Sequence, residues 1–225
     1  MRAAATPKPS SHPDRRRRPR PSAPDATSRG RLLHAAVEIF ERKGYAAASV
    51  REIVQHAGVT KPALYYHFRS KEGILIAALE LAVGEFEAIL GEAVHSAAGT
   101  RARLTRLCAR VMDTTRSKSS LVRVAHAVYF GPREAVPPFD FQVFDRLLRG
   151  GLRRIIEAGV AAGEIRRAAA GDAVEAVAAV MMLGVDQHAN GQPDALDHRG
   201  VRRLINLVFD GIAAAPRFGK ESSSS

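Results

Sequence analysis

Apolar side chains recur every three or four positions along most of this chain, the period of helices that bury one stripe against neighbours. Leu32, Leu33, Ala36, Val37 and Phe40 predict a first helix, with Thr27 or Ser28 as its cap and Gly44 as its stop. Val50, Ile53, Val54 and Ala57 predict a short second helix that opens on Ser49 and ends at Gly58, a residue suited to positive φ. Thr60 is a second N-cap, Pro62 lies in a first turn where its missing N–H costs little, and Leu64 and Phe68 face inward at i and i+4. Ser70-Lys71-Glu72 starts a longer helix through Ile74, Leu75, Ala78, Leu79, Ala82, Phe86, Ile89 and Leu90.

The rest reads the same way. Leu104, Leu107, Cys108 and Val111 mark one helix, and residues 121–130 mark another after the polar link Ser117 to Ser120. Gly131-Pro132 and Pro137-Pro138 bracket a loop, followed by a helix with Phe141, Phe144, Leu148, Leu152 and Ile155 on one side, ending near Gly163. Val174, Val177, Ala178, Met181 and Val185 stripe the next helix, and Val201, Leu204, Ile205, Val208, Phe209 and Ile212 the last. With no run of alternating β-branched residues, an all-α fold without a sheet is expected. The wide stripes of the final pair suit either closure of the chain's own core or a four-helix bundle with a second copy, and a homodimer is expected.

Residues 49–68 form the pattern of two short helices around a glycine-centred turn. Opposite Leu64 and Phe68, about 100° per residue puts Pro62, Ala63 and Tyr66 outside, with Lys61 and His67 at the margins. That face has no apolar stripe to bury. Small residues allow close approach to a surface, while the ammonium, hydroxyl and imidazole supply donors for phosphates or base edges, so a DNA major groove fits. An ordinary helical hairpin with a polar outer side has the same pattern.

From about Arg31 to Leu81 the sequence resembles the TetR family of one-component transcriptional regulators. The resemblance rests on Gly44-Tyr45, Ser49-Val50-Arg51-Glu52-Ile53, Ala57-Gly58-Val59-Thr60, Leu64-Tyr65-Tyr66-His67-Phe68 and Ser70-Lys71-Glu72. It implies a helix-turn-helix head joined by a connecting helix to a helical ligand-binding and dimerisation body. It further implies that Arg51, Lys61, Ala63 and Tyr66 look towards bases or groove walls, while Ser49, Thr60, His67 and Lys71 contact phosphates. Val54 departs from the family's usual alanine, which allows closer helix approach. The expected organisation is a disordered basic arm over 1–26, the head over 27–86, the effector and dimerisation body over 87–215, and a disordered tail over 216–225.

Charge changes the picture chiefly at the N-terminus. The chain carries +11 at neutral pH, and residues 1–30, with eight Lys or Arg against Asp14 and Asp25, hold +6 of it. Arg15 to Arg18 in a row, six of the twelve prolines and few bulky apolar residues predict a disordered segment. It reads either as an arm on a minor groove or phosphates, or as a solvated tail. It lacks the apolar core of a secretory signal, and its composition suits a transit peptide apart from the prolines. A single cysteine, Cys108, fits a reducing cytoplasm, and the apolar run 173–185, interrupted by Glu175, is shorter than a membrane span.

For the body, an adaptable apolar cavity is expected among Phe86, Leu90, Leu107, Cys108, Met112, Tyr129, Phe130, Phe141, Phe144 and Met181, with His126, Tyr129 or Arg123 giving polar contacts. Any of these residues can equally be core. His95, His126, His188 and Asp186 match no zinc spacing, and no phosphate loop or nucleophile elbow is present, so neither metal, cofactor nor enzymatic activity is expected. The sequence therefore points to a homodimeric repressor that binds a palindromic double-stranded operator and is released by a small, largely apolar effector. A sequence-indifferent architectural DNA-binding protein is the alternative.

Overall fold

A computed structural model describes residues 26–130, 139–192 and 196–212; residues 1–25 of the expected arm, the 131–138 loop and the tail lie outside them. Among the described residues there are nine α-helices and no strand: α1 Ala26–Ala47, α2 Val50–His56, α3 Lys61–Phe68, α4 Lys71–Val94, α5 Thr100–Ser117, α6 Ser119–Phe130, α7 Gln142–Ala161, α8 Ala170–Ala189 and α9 His198–Ile212. The all-α expectation holds. The first helix begins earlier than its expected caps, and Ser28 lies buried within it.

Two buried clusters organise the chain. The head core combines Leu32, Ile39 and Phe40 of α1, Ile53 of α2, Leu64 and Phe68 of α3, and Ile74, Leu75 and Leu79 of α4. The body core joins Ile89 and Leu90 of α4 to Leu104, Met112, Leu152, Ile155, Val177 and Ile205. Because α4 enters both, a single rigid element spans about 15 Å from Leu79 to Ile89 between them. The head core also takes in Val124 of α6, and Arg123 of that helix pairs with Glu41 of α1 at 2.6 Å. A second connection thus runs beside α4.

Helix α8 and the turn before it, residues 167–189, are long and apolar enough to cross a membrane by length and composition. Val174, Val177, Ala178 and Met181 are nevertheless packed in the body core, which accounts for that apolarity. The stripes expected to pair with a second copy are likewise mostly consumed internally, with Val201, Ile205 and Phe209 buried on α9. The exposed large apolar side chains of these helices are Met182 and Leu183 on α8 and Leu207 on α9, the last two 46% and 70% exposed.

Candidate nucleic-acid interface and effector cavity

The geometry of the head begins with its caps. Ser49 accepts a hydrogen bond from the Glu52 backbone N–H at 3.2 Å, while the Glu52 carboxylate accepts from the Ser49 N–H at 3.0 Å, a reciprocal box that fixes the start of α2. Hydrogen bonds from Lys43 and then Ser49 hold the Glu52 carboxyl down to about 2. Its stabilisation is therefore present above the ordinary carboxylate pKa and is lost as pH falls towards 2. Gly58 has φ 62°, the left-handed value that lets the chain turn from α2 towards α3. Thr60 then accepts from Ala63 N–H and opens α3 with Pro62 in its first turn.

Burial of Leu64 and Phe68 leaves the opposite face of α3 in solvent. Tyr66 is 71% and Tyr65 51% exposed, and Lys61, Pro62 and Arg69 are exposed beside them. Arg51, Lys61 and Arg69 have no ion-pair partner among the described residues, whereas Lys43 is engaged by Glu52. Exposed aromatic rings on α3, with unpaired cations on α3, at its C-terminal end and at the start of α2, bring apolar contact, hydroxyl donors and positive charge to the head. Tyr65 and Arg69 were missing from the sequence-derived set, although a helical wheel places Tyr65 a quarter turn from Tyr66.

Ala63 is a correction. It is 7% exposed and sits on a flank of α3 that turns towards the head rather than outwards. His67, one turn further along that flank, has its Nε2 buried without a hydrogen-bond partner among the described residues.

Lys71 also departs from expectation. Its ammonium donates to the carbonyls of Tyr45, Ala46 and Ala48 at 2.9, 3.3 and 2.9 Å and lies 4.4 Å from the Tyr45 ring centroid. The Tyr45 and Ala46 carbonyls lie at the end of α1 and that of Ala48 just beyond it, where Gly44, at φ 81°, has broken the helical ladder. Partial burial pushes the ammonium below its ordinary pKa. In the free protein Lys71 therefore ties the start of α4 to the end of α1. We expect Lys71→Met to destabilise the head by about 1–3 kcal/mol and weaken DNA binding with an unchanged salt dependence. A log–log salt slope reduced by about 0.9 would instead identify a phosphate contact.

The body holds a partly open cavity of about 360 Å³ between α4, α5, α6, α7 and α8. Phe86, His126, Tyr129, Phe130, Phe141 and Phe144 of the expected set line it, and Phe86 and Phe144 stand 6.1 Å apart. Leu90, Leu107, Cys108, Met112 and Met181 do not. They are 0–4% exposed within the body core, on the inner faces of their helices. Burial pushes the Cys108 thiol up to about 12, which removes the thiolate needed for ready oxidation. Arg123, expected at the wall, points instead to Glu41 of the head. Met182 and Arg149 are wall residues that sequence periodicity did not select, and Val185, placed on the apolar stripe of α8, lines the cavity as well.

A three-helix head whose turn and exposed second motif helix are built this way is a helix-turn-helix DNA-binding module. Residues 32–78, within this head, match the family of bacterial regulatory proteins called the tetR family. The chain is 42% identical over 76 residues to the HTH-type transcriptional activator FasR of Mycolicibacterium smegmatis, covering 34% of this chain and 35% of that protein. The match thus spans about a third of that relative's length. The TetR family regulator PfmR of Thermus thermophilus superposes with a TM-score of 0.65 at 25% identity, covering 83% of this chain and 98% of the other. FadR of Bacillus subtilis, solved in complex with stearoyl-CoA, superposes with a TM-score of 0.66 at 22% identity over 81% of this chain and 98% of its own. This last similarity concerns the fold.

Proposed function

We propose that the protein is a homodimeric repressor that binds a palindromic DNA operator through α3 and releases it when a small, largely apolar molecule fills the body cavity. The observation that carries this reading is the unburied outer face of α3, with Tyr65 and Tyr66 in solvent beside unpaired Lys61, Arg51 and Arg69. A folded head has no packing reason to leave two aromatic rings there. A major groove supplies both phosphates and base edges to such a surface.

In this reading Arg51, Lys61, Tyr65 and Tyr66 approach the groove, and Ser49 and Thr60 lie close to the backbone. Ser49 and Thr60 already cap helices, so a phosphate there would also meet the positive ends of α2 and α3. The bound effector favours a head separation that mismatches the half-sites, acting through α4 and the contact of α6 with α1. By reciprocity, operator must weaken effector binding as much as effector weakens operator binding.

Tyr66→Ala removes a surface ring without a core contact. It is expected to lower operator affinity by about 1–3 kcal/mol, or roughly 5- to 150-fold, with thermal stability unchanged. Fluorescence anisotropy with operator and random duplex at matched salt checks this. Equal losses on both duplexes would assign Tyr66 to sequence-independent contact, and no loss on either would remove α3 from the interface.

A further inference from the structure

The reading of the 360 Å³ cavity as an effector site leaves open what chemistry it accepts, and the charges on its wall narrow that choice. Among the described residues the wall carries two carboxylates, Glu85 and Asp145, and one guanidinium, Arg149, a formal balance of −1 with His126 neutral. Each is already engaged. Arg149 Nε donates to both Asp145 oxygens at 2.8 and 3.0 Å, and its Nη1 pairs with Glu175. Glu85 pairs with Lys118, and His126 Nε2 lies 3.0 Å from Asp186 Oδ1.

Among the described residues an anionic ligand would therefore meet a single cation, already held by two carboxylates. Arg149 keeps N–H donors on Nη2, but an anion that takes them shares a charge two carboxylates already neutralise and stands close to both of those carboxylates. Both consequences oppose binding. The hydroxyls of Thr114 and Tyr129 are different: neither has a hydrogen-bond partner among the described residues, and both residues line the cavity. A hydroxyl donates or accepts but supplies no charge.

We infer that the cavity selects an uncharged amphiphile, with an apolar body among Phe86, Phe141 and Phe144 and one neutral oxygen function, such as a hydroxyl or ester, towards Tyr129 or Thr114. Free carboxylates and coenzyme A thioesters are disfavoured. This assignment rests on the effector reading above and goes further by fixing the charge of the ligand. It also separates this cavity from a polyanion site, whatever fold it shares with proteins that bind one.

The test compares probes with one common tail: decanol, methyl decanoate, decanoate and decanoyl-CoA, titrated calorimetrically into the full-length protein. Decanol and methyl decanoate are expected to bind at least roughly tenfold more tightly than decanoate or decanoyl-CoA. The double variant Asp145→Asn, Glu175→Gln frees Arg149 and should raise decanoate affinity by roughly tenfold or more while leaving decanol within about twofold. Tighter binding of decanoate or decanoyl-CoA to the unaltered protein overturns the charge assignment and leaves the cavity as the effector site. If no probe binds, or if Ala125→Phe in the wall leaves neutral binding unchanged, the cavity reading fails and the charge assignment falls with it.

Discussion

Gly73→Ala is expected to abolish operator binding by prising α3 away from α4. A β-carbon at Gly73 would lie 2.0 Å from the Phe68 carbonyl oxygen and 3.1 Å from its carbon, and both are backbone atoms that no rotamer change can move aside. The turn between α3 and α4 is already tight, with Ser70 N–H donating to Phe68 C=O at 2.7 Å and Gly73 N–H to the Ser70 hydroxyl at 3.0 Å. Relief of the clash must open that turn, which carries Phe68 out of the head core and tilts the exposed face of α3. The cost should be about 3 kcal/mol or more. Urea denaturation of the full-length variant, followed by operator titration, measures both consequences. Unchanged stability and affinity would mean that the Phe68-to-Gly73 turn does not position α3.

Leu207→Glu is expected to separate the proposed dimer and, with it, the two heads that would read the half-sites. Leu207 is 70% exposed on α9, beside α8 with its exposed Leu183, although its neighbours Val201, Ile205 and Phe209 are buried in the chain's own core. A charge there costs the monomer little, because the side chain is already in solvent. In a bundle formed with a second copy it would be buried without a partner. Sedimentation velocity at micromolar concentration should shift from dimer to monomer. Losing the tethered second half-site should weaken operator binding by about 100-fold or more. A persistent dimer with wild-type affinity would place the association surface elsewhere.

The helical architecture was legible because its signals are local. Ser49, Gly58, Thr60 and Ser70 each act within a few residues of themselves, and the structure uses all four at the expected helix boundaries. The stripe Leu64 and Phe68 likewise fixes which side of α3 is buried. Less was legible where a residue's role depends on a distant segment. Lys71 looks like a free surface cation in sequence, but its acceptors lie 23 to 26 positions earlier at the end of α1. Gly73 carries no pattern at all; its requirement is set by the path of the Phe68 carbonyl. In the body, periodicity separates buried from exposed positions but does not distinguish a core face from a cavity face. Met112 and Phe86 share that apolar signal, yet Met112 is enclosed by the body core while Phe86 opens on the cavity.

The most direct test of the central claim is selection of bound duplexes from a random DNA library by the full-length protein, run in parallel with Tyr66→Ala at the same salt concentration. The account predicts enrichment of one inverted repeat whose half-sites are a whole number of helical turns apart, with that enrichment lost or relaxed in the variant. Recovery of no preferred sequence, with equal affinity for the starting pool and the selected duplexes, would contradict it.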